Sequence, residues 1–272
     1  AGQRLRLTVD LGGDDVVLIN PGSRVRAVLD GEVRTDGKPV DRGRYRVAVG
    51  QQAVAVPFSR ETLMIGGRAI KARLLTPEQA PPGQTPASDG IIGLPLLPHE
   101  GVTLRWRPAT AGDRMVTVPA RIGRSDAVGF DWALAGGETL DVEIHPLRPV
   151  SVASAAAASL LAQAGGGRLE GPVRRVLIGF GVSRPVRRLA LARPVAVAGL
   201  GVSAADVRLF DWAGRSNLPP DADPDAELTA VGKRGRQGSW AVLKLGQDVI
   251  AACASIRWQR SPAQLELTCA GP

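Results

Sequence analysis

Leu11-Gly12-Gly13-Asp14-Asp15-Val16-Val17-Leu18-Ile19-Asn20-Pro21 decides how this chain reads, because the same phrase is spelled a second time. A double glycine, an acidic residue, an apolar strand and a polar residue before proline recur as Ala135-Gly136-Gly137-Glu138, Leu140-Asp141-Val142-Glu143-Ile144 and His145-Pro146, one residue out of step. A second pair follows in the same order: Gly93 to Leu104-Arg105-Trp106 is echoed by Gly246 to Ile256-Arg257-Trp258. Internal repetition fixes architecture before local propensity does. It predicts two related β lobes about a pseudo-twofold axis, with Asn20 and His145 near that axis.

The rest of the chain agrees with a mainly β protein carrying a few short helices. Arg4 to Val9 and Tyr45 to Val49 alternate with period two, as do Gln52 to Val56 and Ala69 to Leu74. Gly12-Gly13, Asp36-Gly37 and Gly66-Gly67 supply turns, since glycine accepts positive φ without steric cost. Thr76 to Ser88 and Ser216 to Glu227 are rich in proline or aspartate and read as loops. The clearest helix is Ala155 to Ala164, led in by Ser151-Val152-Ala153-Ser154 and stopped by Gly165-Gly166-Gly167. Further strands are expected near Val173 to Phe180, Val186 to Leu191, Val195 to Val197, Trp240 to Leu245 and Ile250 to Trp258. The polar stretch Arg107 to Asp113 separates the repeats, so the lobes are placed at residues 1–110 and 111–272.

Composition excludes several classes. No apolar run approaches the length of a membrane-spanning helix, so no transmembrane segment is expected. The net charge of +8 comes almost wholly from arginine, and such a balance favours an acidic peptide or protein partner. Aromatic residues make up only 4% of the chain, which argues against nucleic-acid binding by stacking; Lys233-Arg234-Gly235-Arg236 reads as a solvated loop. Cys253 and Cys269 flank a predicted hairpin and could form a disulfide, with a pair of buried thiols as the alternative. A bond there, and a start at Ala1-Gly2-Gln3-Arg4 that suits a processed chain, give the expectation of a periplasmic or secreted protein. Two cysteines and two distant histidines make no metal-ligand spacing, and neither a phosphate loop nor a dinucleotide fingerprint occurs, so no metal and no cofactor are expected.

Ser88-Asp89-Gly90-Ile91-Ile92-Gly93-Leu94-Pro95-Leu96-Leu97 resembles the closing segment of a retropepsin-like aspartic protease lobe. In that family an apolar strand some seventy residues earlier runs into Asp-Thr/Ser-Gly. Here Val16-Val17-Leu18-Ile19 runs into Asn20-Pro21-Gly22-Ser23, so glycine and serine match and the aspartate does not. Ile65-Gly66-Gly67 is similar to the family's glycine-rich hairpin. In the second lobe Ile144-His145-Pro146-Leu147 is placed at the second Asp-Thr-Gly, and Lys244 to Ile250 at the closing segment. The resemblance implies two aspartic-protease-like lobes around a peptide-binding cleft, with Asn20, Ser23, Gly66, Gly67, His145 and Arg148 as binding residues.

The family's chemistry needs two carboxyl groups sharing one proton. An amide at Asn20 cannot accept a proton from water. His145 is a base without an acid partner, and Pro21 and Pro146 remove a backbone donor and a hydroxyl. Both catalytic motifs are degenerate, so no catalytic residue is expected and the implied protein is a pseudoprotease that binds a peptide or protein. The alternative is an active endopeptidase using His145 or an unrecognised carboxylate. Asp10, before Leu11-Gly12-Gly13, reads as a turn residue; Asp89 and Asp248 read as structural acids, and His99 as part of a surface turn.

Overall fold

A computed structural model of the protein describes residues 4–13, 15–31, 41–49, 52–80, 87–122, 127–208 and 241–271. The first half runs β1 (Leu7–Asp10), β2 (Val17–Ile19), α1 (Arg24–Asp30), β3 (Arg42–Val49), β4 (Gln52–Ile65), β5 (Arg68–Leu75), β6 (Gly90–Gly93), a 3-10 turn at Leu94–Leu96, β7 (Gly101–Arg105) and β8 (Asp113–Pro119). Two strands follow, β9 (Arg121–Ile122) and β10 (Val128–Ala133). The second half runs β11 (Thr139–Ile144), β12 (Val152–Ser154), α2 (Ala155–Gly165), β13 (Gly167–Gly179), β14 (Val182–Val197), β15 (Leu200–Arg208), β16 (Val242–Leu245), α3 (Gln247–Ile250), β17 (Cys253–Gln259) and β18 (Gln264–Ala270).

The two halves repeat one topology. The first sheet is ordered β1-β6-β2-β5-β4-β3, and the second contains β11-β16-β12-β15-β14-β13, extended at one end by β10 and β9. The pairing senses match at every step. β1 with β6 and β11 with β16 are parallel. β6 with β2 and β16 with β12 are antiparallel, and β2 with β5 and β12 with β15 are parallel again. The two long hairpins are antiparallel in both sheets. A third sheet, β7-β17-β18-β8, joins the halves: two strands from the first flank a hairpin from the second. The expected boundary at residue 110 falls between β7 and β8, and so separates the two strands that flank the hairpin.

Local chemistry explains the elements that matter here. Ser154 caps α2 by accepting from Ala157 N, and Gly166 ends it in the left-handed conformation, φ 69°. Four small buried residues, Ala155 to Ala158, let the helix lie close on its sheet. The strands expected at residues 186–191 and 195–197 form one strand, β14, with an irregularity between Ala190 and Val195. Asp36-Gly37, the loop at 216–227 and the basic cluster at 233–236 lie outside the described residues.

The main apolar core is continuous across the halves. It takes Leu11, Ile19 and Leu74 from the first and Leu140, Leu161 and Leu243 from the second, all at most 2% exposed. Burial of each such side chain stabilises by about 1.5–3 kcal/mol. A smaller cluster of Val16, Val56, Phe58 and Leu75 covers the other side of the first sheet. Cys253 and Cys269 are register partners in the β17–β18 hairpin and are joined by a disulfide.

Candidate functional site

Gly93 precedes the 3-10 turn and Gly246 precedes α3, each at the end of the corresponding strand. With these glycines matched, register fixes the other equivalences. Asp10 pairs with Gly93; Ile144 pairs with Leu245, and His145 N donates to Leu245 O at 2.9 Å. Asp10 and His145 are therefore counterparts. On the other side of the same strands, Gly90 pairs with Ile19 and Leu243 with Ala153, so the residue after each, Asn20 and Ser154, match. This corrects the expected equivalence of Asn20 with His145. An apolar run ending in a polar residue and proline occurs after β2 in one half but after β11 in the other, and the run alone does not say which strand it ends. The second half also lacks the turn Asn20-Pro21-Gly22: its helix starts directly on the strand, with Ser154 as both last strand residue and cap.

Both matched positions are tethers. Asn20 is 9% exposed; its Nδ2 donates to Ser88 O at 2.6 Å and its backbone N to Asp89 O at 2.8 Å. Ser23 caps α1 by accepting from Val25 N, and donates to Asp89 Oδ1 at 2.8 Å. The other carboxylate oxygen of Asp89 accepts from Arg6 N at 2.8 Å; that hydrogen bond, with the one from Ser23, holds the carboxyl below its usual range. Ser154 Oγ accepts from Ala157 N and from Val242 N, both at 3.1 Å, with 1% of the residue exposed. Neither an amide nor a hydroxyl saturated by backbone donors can take a proton from water. Asp248 clamps the start of α3, accepting at one oxygen from Ser151 N and Oγ at 2.9 and 2.7 Å.

His145 belongs to a buried charged cluster instead. Its Nε2 lies 2.9 Å from Glu143 Oε2, and Lys244 Nζ lies 2.9 Å from the same oxygen. Glu143 is fully buried and pairs in register with Lys244. Burial alone would raise the Glu143 pKa; Lys244 and His145 outweigh it and hold the carboxylate below its usual range. Burial, aided by Lys244 and opposed by Glu143, pushes His145 down to about 4, so the ring is neutral at pH 7. Nε2 then carries the proton toward Glu143, and Nδ1 faces the backbone of Gly12. A Cβ on Gly12 would sit 2.1 Å from Nδ1.

Asp10 and Arg148 complete the cluster. Burial pushes the Asp10 carboxyl up to about 6, against the Gly12 N–H that Oδ1 accepts at 3.1 Å and the charges of Arg148 and Lys244. Burial lowers the Arg148 pKa, and Asp10 offsets part of this. Arg148 N donates to His145 O at 3.0 Å, and its guanidinium donates to the carbonyl of Ile178. The structure thus groups His145, Arg148, Glu143, Lys244 and Asp10, and holds Asn20 and Ser23 together on Ser88 and Asp89.

Gly66 and Gly67 lie elsewhere. They form the β4–β5 turn, both with positive φ, beside exposed His99, while Arg68 donates to Pro98 O. β5 pairs with β2 at Leu74 and Leu75, so eight residues of strand, roughly 25 Å, separate Gly67 from the Asn20 end. Among the described residues no three His, Cys, Asp or Glu side chains are arranged so that they could hold a metal ion, and no helix is long and apolar enough to cross a membrane. The sequence matches no protein-family model, and no curated protein matches it.

Proposed function

We propose that this chain is a pseudoprotease: an aspartic-protease-like scaffold of two repeated lobes that binds an extended peptide or protein segment in or near their junction without cutting it. One observation carries the reading. The matched positions that would hold the two carboxylates carry Asn20 and Ser154, each consumed in tying its own lobe together. Extended peptides suit such a scaffold because main-chain hydrogen bonds supply affinity and alternating pockets supply selectivity. The net charge of +8 favours acidic segments through steering of the encounter. The disulfide supports a periplasmic or secreted setting.

Incubation with unfolded protein substrates from pH 3 to 8 tests the reading. Capture of peptides without new termini is the expected result; cleavage blocked by a statine-type inhibitor overturns it. Asp10, with a carboxyl that holds its proton up to about pH 6, favours the alternative of an atypical endopeptidase. Loss of any observed cleavage in the Asp10→Asn variant would establish that alternative. The Asn20→Asp/Ser154→Asp double variant is expected to gain no proteolysis, because both positions are locked as tethers.

A further inference from the structure

The β13–β14 hairpin of the second half ends on the first half. Phe180 and Gly181 form its two-residue turn between Gly179 and Val182, both left-handed, with φ 50° and 78°. Turns of that hand take Asn, Asp or Gly at the first position, and a bulky aromatic residue there is an outlier that points to use of its side chain. The side chain of Phe180 has left its own half. It packs on the cluster of Val16, Val56, Phe58 and Leu75, as Leu18 and Tyr45 also do, every one a first-half residue.

Two further contacts reach the tip. Arg148 donates to the carbonyl of Ile178, and Gly181 lies against the side chain of Gln79. The seat adjoins the tethered loop: Leu18 in β2 and Leu75 at the end of β5 are register partners, with Asn20 two residues on from Leu18. Val56 and Phe58 of the seat come from the β3–β4 hairpin, the counterpart of the hairpin that enters it. The tip is lightly held. Phe180 and the residues leading to it, 176–179, are only half-buried, and the left-handed strain at Phe180 relaxes on release.

From these contacts we infer that the Phe180 seat is a peptide subsite of the first half, selective for an aromatic side chain on an extended segment, which the chain's own hairpin tip fills until a ligand displaces it. The inference rests on the peptide-binding reading above and names the side-chain class that the site takes.

The probe is a fluorescein-labelled hexapeptide copying residues 177–182, Leu-Ile-Gly-Phe-Gly-Val. In anisotropy titrations the Phe180→Ala protein is expected to bind it at least tenfold more tightly than the parent, and the same peptide with alanine for phenylalanine is expected to lose that gain. Equal binding by parent and variant, or none by the variant, overturns the inference. Hydrogen exchange on the parent decides the matter if Phe180→Ala does not fold. Amides of residues 176–184 should open at least a hundredfold more readily than those of β11 and β16; exchange at one common rate overturns displacement. If the parent captures other peptides at the junction while Phe180→Ala gains nothing for the hexapeptide, only the self-occupied subsite falls.

Discussion

A methyl group on Gly12 would overlap the imidazole of His145, so the glycine is required by space and not by turn conformation. Gly12→Ala is expected to destabilise by about 1–3 kcal/mol, the usual cost of overpacking. Trimming the ring with His145→Ala should recover part of that loss, read from a urea-unfolding double-mutant cycle. The matched pair Asp10 and His145 also titrates in opposition. The folded state binds a proton at Asp10 between pH 3.8 and about 6 that the unfolded chain has released, so this group favours folding at the acid end and loses that contribution as pH rises. His145 does the reverse: between about 4 and 6.5 the unfolded chain binds the extra proton, and stability rises with pH. The two nearly cancel between pH 4 and 6. Relative to the parent, Asp10→Asn should therefore gain a positive slope of up to about 1.4 kcal/mol per pH unit, and His145→Gln a negative one. Urea midpoints at pH 4.5, 5.2 and 6 check both signs. The loss of acid chemistry at Asn20 was legible in the sequence, since an amide cannot do a carboxylate's work. Glu143 and Lys244 were not: Asp141 and Glu143 in Leu140 to Ile144, and Lys244 in Val242 to Leu245, alternate with apolar residues as on the solvent face of a strand. The available signal was opposite charge on two apolar strands that the repeat sets side by side.

Among the elements, the junction of β12 with α2 carries more than its length suggests. Ser154 Oγ serves two buried donors, one in its helix and one at the start of β16. Ser154→Ala loses a helix cap, worth about 1 kcal/mol, and leaves a buried N–H without its acceptor, at about 1–3 kcal/mol. A loss of about 2–4 kcal/mol in urea unfolding is expected; a change under about 0.5 kcal/mol, the scale of a neutral surface substitution, would show the hydroxyl to be dispensable. The repeat in the sequence was enough to indicate two related lobes, and the caps Ser154 and Gly166 were visible as letters. The equivalence of individual strands was not visible. β2 has only three residues and β12 three, too short for periodicity to number them, and the pairing senses that identify them involve partners more than fifty residues away. The hairpin tip at Phe180 escaped for a related reason: a lone phenylalanine before glycine looks like a strand end, and its seat is assembled from segments more than a hundred residues upstream.

At the scale of the molecule, one apolar core and one shared sheet bind the halves together. Thermal unfolding is expected as a single transition with equal calorimetric and van't Hoff enthalpies; two resolved transitions would show that the halves stand alone. Reduction of the Cys253–Cys269 bond, which closes a loop of sequence separation 16, should cost about 3 kcal/mol and move that one transition as a whole. The shared sheet also sets an order of events during synthesis. β7 and β8 leave the ribosome well before the hairpin of β17 and β18 that lies between them, and no described strand pairs one with the other. Until residues 253–270 emerge, the nascent chain carries two ribbons with bare edges, able to recruit a neighbouring copy. This later hairpin is the keystone that takes one edge of each strand out of circulation, and a chain stalled before it is exposed to aggregation through edges that the assembled sheet covers.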